Sequence, residues 1–322
     1  MSGNPYENEP GFEDANESSD KKNQADYVQK IRHETLRISV IQRLEEYLGL
    51  SADGGPSPAS RSAADEADVD IDMQDLDDST VPFEPFKDLC KRRFLWYYDS
   101  YLATIQKAKS DVKDNQLFQR MPFEGSSNSM DGKFNYTELE RRIRTVKKRL
   151  DEEVDIWAAE GKAELEKEGT MAVNLKNQYR QVVESFKQHG FTHHVQLEDN
   201  NPFVWVIAYV GNPMTNLESG LFRIKINFSP RFPDEQPRVK FETRIFHHRV
   251  ASDGSLCYFP NPMRREDVRS HIEAVFEAIE EEPAYDPRTL VNPEAFKLYW
   301  GSPEDRKAYR RRLRRSAQMT TE

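Results

Sequence analysis

The chain has 322 residues, of which 37% are hydrophobic and 32% charged, and its formal net charge at pH 7 is -10. This length suffices for two domains with separate cores, and the acidic balance argues against a general polyanion binder. Two cysteines do not make a disulfide framework and favour a reducing compartment. No run approaches about 18 apolar residues, and the first residues lack an apolar core, so we expect neither a membrane span nor a signal peptide. The expected location is the cytosol, the nucleus or both.

The first part of the chain combines one helical pattern with an acidic stretch. Apolar residues at helical spacing predict a helix over residues 27–48, which Gly49 would end. Small residues and carboxylates dominate residues 51–80, and like charges this dense repel one another, so we predict a disordered linker. As an alternative, its acidic side chains would contact a basic partner: Asp65, Glu66, Asp68, Asp70, Asp72, Asp75, Asp77 and Asp78.

Residues 81–160 are predicted to form a helical hairpin. An aromatic-rich helix is predicted over residues 83–108, and an amphipathic helix over residues 137–157 has apolar residues at steps of three and four. The aromatic side chains favour a packed core over a ligand site. Cys90 lies within the first helix, where buried packing is the expected environment. Residues 158–170 either continue the second helix or link it to the next domain.

A strand-rich pattern occupies the second half of the chain. A helix with an apolar face, ending near Gly190, precedes the apolar run of residues 203–210 and the alternating runs of residues 221–228 and 238–243. In the middle run the pattern predicts one set of inward residues (Phe222, Ile224, Ile226 and Phe228) and one set of outward residues (Arg223, Lys225 and Asn227).

After Cys257 the pattern returns to helix. Apolar residues share one predicted face: Val268, Ile272, Val275, Phe276 and Ile279. Asn292–Pro293 and Ser302–Pro303 are each typical of an N-cap followed by proline, and Asp305 completes a capping box with Ser302. The resulting order of helix, antiparallel strands, irregular segment and helices indicates an α+β domain over residues 170–316, followed by a short tail over residues 317–322.

This element order resembles the ubiquitin-conjugating-enzyme (UBC) fold, and the stretch FSPRFPDEQPRVKFETRIFHHRVASDGSLC, from Phe228 to Cys257, resembles that family's signature. The positions in register are Pro233, Pro237, Val239, Phe241, Thr243, Ile245, His247, Gly254 and Cys257. The resemblance implies an N-terminal helix, a four-stranded antiparallel meander and C-terminal helices. It also implies that Cys257 accepts the C-terminus of ubiquitin or a ubiquitin-like protein from an activating enzyme and transfers it to a lysine or another cysteine, while His247 orders the loop.

Two departures from the family pattern affect the expected chemistry. Arg249 stands where the family has the asparagine that supports the oxyanion during transfer to lysine; a guanidinium is also a donor, but its length and geometry differ. The family's ligase-binding segment is also altered, since the chain has no tryptophan shortly after Cys257 and has Asp234 where relatives place an apolar residue. We therefore expect any ligase to use a different surface.

Residues 4 to about 155 resemble the C-terminal part of a Z-type ubiquitin-conjugating enzyme, with residues 1–50 as a partial helical tail. The segments that carry the resemblance are NPYENEPGFE, IRHETLR, FLWYYDSY and Phe134-Asn135-Tyr136. In that type a catalytic core precedes the tail, whereas no cysteine lies before Cys90 here. We expect the chain to be either a shortened gene product or a truncated gene model of a tandem two-core protein.

Three hypotheses for the function follow. The first is a conjugating enzyme that uses Cys257 with Arg249 and His247, and the second is a catalytically inactive UBC variant that binds or scaffolds components of the ubiquitin pathway. The third is a nucleic-acid or nuclear factor that uses the basic residues 306–316, although the net charge disfavours it. No phosphate loop, dinucleotide fingerprint or metal-ligand spacing is present, so we predict no cofactor and no metal, and we expect no membrane partner.

Overall fold

The computed structural model describes residues 17–51, 84–125, 130–188, 193–280 and 285–321. The backbone divides into two units: the first takes residues 1–83 and 101–148, and the second takes residues 84–100 and 149–322. The predicted acidic linker lies outside the described residues, and so does Gly190. Among the described residues, no helix has the length and apolar character needed to cross a membrane.

The first unit contains a continuous helical segment at its start. Helix α1 (Glu17–Glu34) leads through a π-helical stretch (Thr35–Gln42) into helix α2 (Arg43–Leu48). The predicted end is confirmed, because Gly49 is left-handed with a φ of 61°. The predicted start at residue 27 was wrong, since residues 17–26 are polar and give no apolar periodicity to detect.

Two long helices contribute to both units. Helix α3 (Lys87–Asp111) and helix α4 (Tyr136–Glu166) run antiparallel: Lys109 pairs with Glu140 at 2.6 Å in the first unit, and Lys91 pairs with Glu153 in the second. Residues 158–166 therefore continue the second helix of the predicted hairpin.

The sheet of the second unit is a four-stranded antiparallel meander, in the order β1 (His194–Leu197), β2 (Val204–Val210), β3 (Leu221–Asn227) and β4 (Arg238–Phe241). Ile207 lies opposite Ile224, and Ile226 lies opposite Val239. The apolar pattern predicted the last three strands. It did not predict β1, whose four residues are too few to show an alternation.

The alternation in β3 has one exception. Its predicted inward residues are fully buried, but Asn227, predicted to face solvent, is buried as well. Asn227 lies opposite Arg238 in the sheet, so the two side chains share a face. On that face the Arg238 guanidinium lies 4.9 Å from the ring centroid of Trp157 in α4. The end of the outer face is therefore covered by a helix that the strand pattern alone does not reveal.

Four helices complete the second unit: α5 (Thr170–Gln188), α6 (Val268–Glu280), α7 (Pro293–Tyr299) and α8 (Pro303–Gln318). The predicted caps are present. Asn292 accepts from the Ala295 amide, and Ser302 and Asp305 form a reciprocal capping box. Side chains from these helices pack with the inner face of the sheet in one core. The α+β fold expected from the resemblance is confirmed.

The two faces of β3 offer a matched pair of substitutions. Ile224 is fully buried, whereas Leu221 at the start of the same strand is 48% exposed. Ile224→Ala should lower the free energy of unfolding by about 2–5 kcal/mol, because it removes core contacts and leaves a cavity, while Leu221→Ala should cost less than about 1 kcal/mol. All four tryptophans lie in the second unit, so urea titration followed by tryptophan fluorescence measures the difference. Equal costs for the two variants would contradict the assigned strand faces.

Candidate active site

Cys257 lies on an irregular segment between β4 and α6 that is fixed to the sheet by backbone hydrogen bonds. The Leu256 amide donates to the Val239 carbonyl at 3.0 Å, and the Cys257 amide donates to the Arg249 carbonyl at 2.9 Å. Gly254 makes the turn before them with a φ of 89°, and a Cβ there would lie 2.1 Å from the Phe241 carbonyl oxygen. A side chain at this position would therefore push the cysteine segment away from the sheet.

The predicted site residues His247, Arg249 and Cys257 lie together. Nδ1 of His247 accepts a hydrogen bond from the Arg249 amide at 3.1 Å, and the His247 ring stacks on His248 with centroids 4.4 Å apart. Burial, together with the charge of Arg249, holds the pKa of His247 well below its usual value. The imidazole is therefore neutral and can accept this bond. The contact agrees with the predicted loop-ordering role of His247, which stays a prediction.

The Cys257 thiol is enclosed. The residue has no exposed surface, and it packs with Trp96, Tyr97, Ala251 and Val291. Its thiol donates to the Arg288 carbonyl, with an S–O distance of 3.9 Å. Cys257 is therefore out of reach of any large reactant in this conformation.

Burial also suppresses ionisation of the thiol. It raises the pKa of Cys257 to about 12, even though the nearby Arg249 guanidinium acts in the opposite direction. Smaller effects come from other charged groups around the thiol, which are Asp286, Arg92 and Arg288. Since the thiolate is the nucleophile, the buried cysteine is nearly unreactive near neutral pH.

Residues 84–100, which we call the capping segment, supply two of the enclosing side chains, those of Trp96 and Tyr97. The Tyr97 hydroxyl donates to the Arg288 carbonyl at 2.5 Å, so that carbonyl accepts from both Tyr97 and Cys257. Asp99 accepts from the amide and the hydroxyl of Ser252, each at 2.9 Å. These bonds hold the capping segment on both sides of the cysteine.

An ion-pair network anchors the start of the capping segment. Asp88 accepts from the Arg238 guanidinium at 2.8 Å and from Arg92 at 2.9 Å, and it also accepts from the Gln236 amide at 3.3 Å. Burial alone would raise the pKa of Asp88, but the two guanidiniums outweigh it and hold the pKa below its usual value. The carboxylate is thus charged and paired where the capping segment meets the end of the sheet.

Phe259, two residues after Cys257, forms the outer rim of the site. The Trp96 ring contacts it edge-on with centroids 5.9 Å apart. The guanidiniums of Arg288 and Arg249 lie 5.0 and 6.0 Å from its ring centroid. The predicted oxyanion-supporting side chain therefore lies against an aromatic ring beside the cysteine.

Comparison with known proteins finds a family match for this part of the chain. Residues 174–315 match the family described as "Ubiquitin-conjugating enzyme". These residues form a UBC domain. A "Ubiquitin-conjugating enzyme E2" of African swine fever virus (isolate Pig/Kenya/KEN-50/1950) is 34% identical over 83 residues, which are 26% of this chain and 37% of that protein. The "Ubiquitin-conjugating enzyme E2 1" of Caenorhabditis elegans is 27% identical over 125 residues, 38% of this chain and 62% of that protein. The matches therefore span less than two thirds of either relative.

Two parts of the chain depart from the family's ligase-binding pattern, namely Asp234 and the segment after Cys257. The surface that they form in the UBC domain is partly polar. Asp234 is exposed, and Met263 is 85% exposed. Tyr258, by contrast, is buried, with its hydroxyl 3.0 Å from Nδ1 of His271. The segment after Cys257 is thus fixed by Tyr258 and offers Phe259 and Met263 to solvent.

The basic C-terminal helix of the UBC domain is amphipathic. Tyr309 and Leu313 are buried one turn apart, so this helix packs on the domain. Arg312, on the flank of this buried stripe, pairs with Glu294 at 2.5 Å.

Sequence reasoning missed the residues that enclose the thiol. The aromatic pattern of the sequence places Trp96 and Tyr97 in the core of the helical hairpin, and no local pattern points to Arg288. Cys90, predicted to be buried, is only partly buried. The available signal was the pair of adjacent aromatic residues at 96 and 97, which cannot both lie on one narrow helical stripe.

Cys257 should be strongly protected from alkylation in the folded chain. We expect its modification by N-ethylmaleimide to be slower than in the urea-unfolded chain by at least about a hundredfold, because reaction requires local opening of the capping segment. Raising the pH from about 7 to about 9 should not abolish the protection, since the enclosed thiol stays protonated there. Peptide mass spectrometry distinguishes Cys257 from Cys90. Rapid modification of native Cys257 would contradict the described burial.

Proposed function

We propose that the UBC domain is a thioester transferase that accepts ubiquitin or a ubiquitin-like protein on Cys257 and passes it on. The observation that carries this proposal is the position of Cys257, which lies on a segment fixed to the sheet within a domain of this family. Arg249 and the neutral His247 lie on the adjoining turn. The thiol and a hydrogen-bond donor thus lie near one another, an arrangement that favours transfer of an acyl group.

The proposed step is a thioester exchange. The Cys257 thiolate attacks the carbonyl carbon of the ubiquitin-like C-terminus on an activating enzyme, the new S–C bond forms, and the old S–C bond breaks as the activating enzyme's thiolate leaves with the electron pair. The proton lost by Cys257 passes to solvent or to the departing thiolate. During the attack, negative charge develops on the carbonyl oxygen, where a guanidinium such as that of Arg249 would be favourable.

A second function is favoured by a separate observation. Cys257 has no exposed surface, and its pKa is raised to about 12 by burial. These properties suit an inactive UBC variant that binds components of the ubiquitin pathway without chemistry. The two functions share the fold and differ only in whether Cys257 becomes accessible.

A charging assay separates the two functions. The full chain is incubated with ubiquitin, ATP and a panel of activating enzymes, and the products are resolved on a non-reducing gel beside Cys257→Ala and Cys90→Ala. We expect a thiol-sensitive band larger by one ubiquitin, absent from Cys257→Ala and retained in Cys90→Ala. No such band from folded protein with any activating enzyme would exclude the transferase and leave the binding module.

Arg249 should act in transfer to lysine and, to a smaller extent, in charging. Removing one oxyanion donor typically costs about a hundred- to a thousandfold in rate, so Arg249→Ala should slow discharge to free lysine by about that factor. Charging should slow less, because there the variant loses the nearby cation that favours the Cys257 thiolate. Arg249→Asn, which restores the family residue, should discharge at least as fast as the natural chain. Arg244→Ala is the matched control, because Arg244 is an exposed arginine on the same segment. Equal discharge by Arg249→Ala and Arg244→Ala would remove Arg249 from the mechanism.

The proposed function implies two protein partners, an activating enzyme and a ligase. An activating enzyme must supply the thioester, and a ligase would have to bind through a surface without the family's usual tryptophan. We place the protein in the cytosol, the nucleus or both, where these partners and a reducing environment occur.

A further inference from the structure

We infer that the capping segment, residues 84–100, is an intramolecular competitor that occupies the surface around Cys257 and must leave before a ubiquitin-like C-terminus can reach the thiol. This inference rests on the proposed transferase function. It concerns the regulation of that site, which the family assignment of residues 174–315 does not cover because the capping segment lies outside the matched residues.

The capping segment presents one side of a helix to the UBC domain. Asp88, Arg92, Trp96 and Asp99 follow at steps of four, four and three, which places them on one helical face. Asp88 and Asp99 bond to the UBC domain, while Trp96 packs in the cluster that contains Cys257. Arg93, on the same helix, is exposed. Several side chains of the capping segment therefore contact the UBC domain together.

The contact has an apolar centre and a polar margin. Trp96 and Tyr97 cover the thiol, and two polar side chains of the segment bond at the margin, with Tyr97 on the Arg288 carbonyl and Asp99 on Ser252. Trp96 is buried in this conformation, and opening would expose its side chain to water. Exposing apolar surface costs free energy, so the closed arrangement is favoured. The polar bonds can be exchanged for bonds to water or to a partner, so the contact can open without unfolding the UBC domain.

Opening would also free the groups that an incoming peptide needs. The Arg288 carbonyl and the Ser252 amide flank Cys257 and are taken by the capping segment in this conformation. An extended C-terminal tail carries backbone donors and acceptors that require partners when it is buried. The capping segment and the tail therefore compete for the thiol and for the same backbone groups.

The test measures access to Cys257 separately from charging. In a Cys90→Ser background, Cys257 is the single thiol of the chain. The rate of its modification by N-ethylmaleimide, followed by intact mass, is compared for Trp96→Ala, Tyr97→Phe, Asp99→Ala and the control Arg93→Ala. Loss of one hydrogen bond in Tyr97→Phe should raise the rate about fivefold, and Trp96→Ala should raise it by on the order of a hundredfold. Arg93→Ala should match the background chain.

The same variants are then charged with ubiquitin, and tryptophan fluorescence confirms that each remains folded. Faster modification together with faster charging supports the capping segment as a competitor. Faster modification without charging in any variant supports the cap and overturns the transferase. Unchanged modification in folded Tyr97→Phe and Asp99→Ala overturns the capping inference, whether or not charging occurs. If Trp96→Ala unfolds, Tyr97→Phe decides, because it keeps the ring and removes only the hydroxyl.

Discussion

A cysteine can act as a nucleophile only when its thiol is both reachable and ionised, and in this protein one packing contact controls both properties. Trp96 and Tyr97 enclose Cys257, which leaves the residue without exposed surface and raises its pKa to about 12. The apolar cover excludes a large reactant and, by excluding water, disfavours the thiolate. Whether the other residues of the site can act on a substrate therefore depends on whether this contact is closed or open.

Beneath that contact, the geometry of the cysteine segment is already set. Its backbone is bonded to β4 and to the turn at Arg249, and Gly254 has the conformation that this close approach requires. His247 stays neutral through burial and accepts the Arg249 amide. None of these contacts involves the capping segment. Opening the contact would thus expose a site that is preformed, which separates access to the thiol from construction of the site.

Among the departures from the family pattern, Arg249 has the largest expected effect on the chemistry of Cys257. Its guanidinium lies beside Phe259 and acts to lower the pKa of Cys257. A cation near a thiol favours the thiolate, while an uncharged asparagine would not have this effect. Replacing asparagine with arginine therefore changes the electrostatics of charging as well as the donor available for transfer.

The sequence by itself determined the fold of the second unit and the place of its cysteine. Strands β2, β3 and β4, the buried face of α6 and the caps of α7 and α8 all follow from local periodicity and capping chemistry, which act between neighbours in the chain. It did not determine β1, which is too short to show an alternation, or the start of α1, where the residues are mostly polar. It also did not determine the burial of Asn227, which a helix distant in sequence covers.

Only the tertiary structure decided that Cys257 is covered, because the covering residues are distant in sequence. Asp99 and Ser252 are separated by 153 residues, and Tyr97 and Arg288 by 191. A helical periodicity shows that Trp96 is apolar enough to be buried, but it carries no information about the surface that buries it. The side chains that line an enclosed thiol are brought together by packing, and packing partners at such separations leave no local signature.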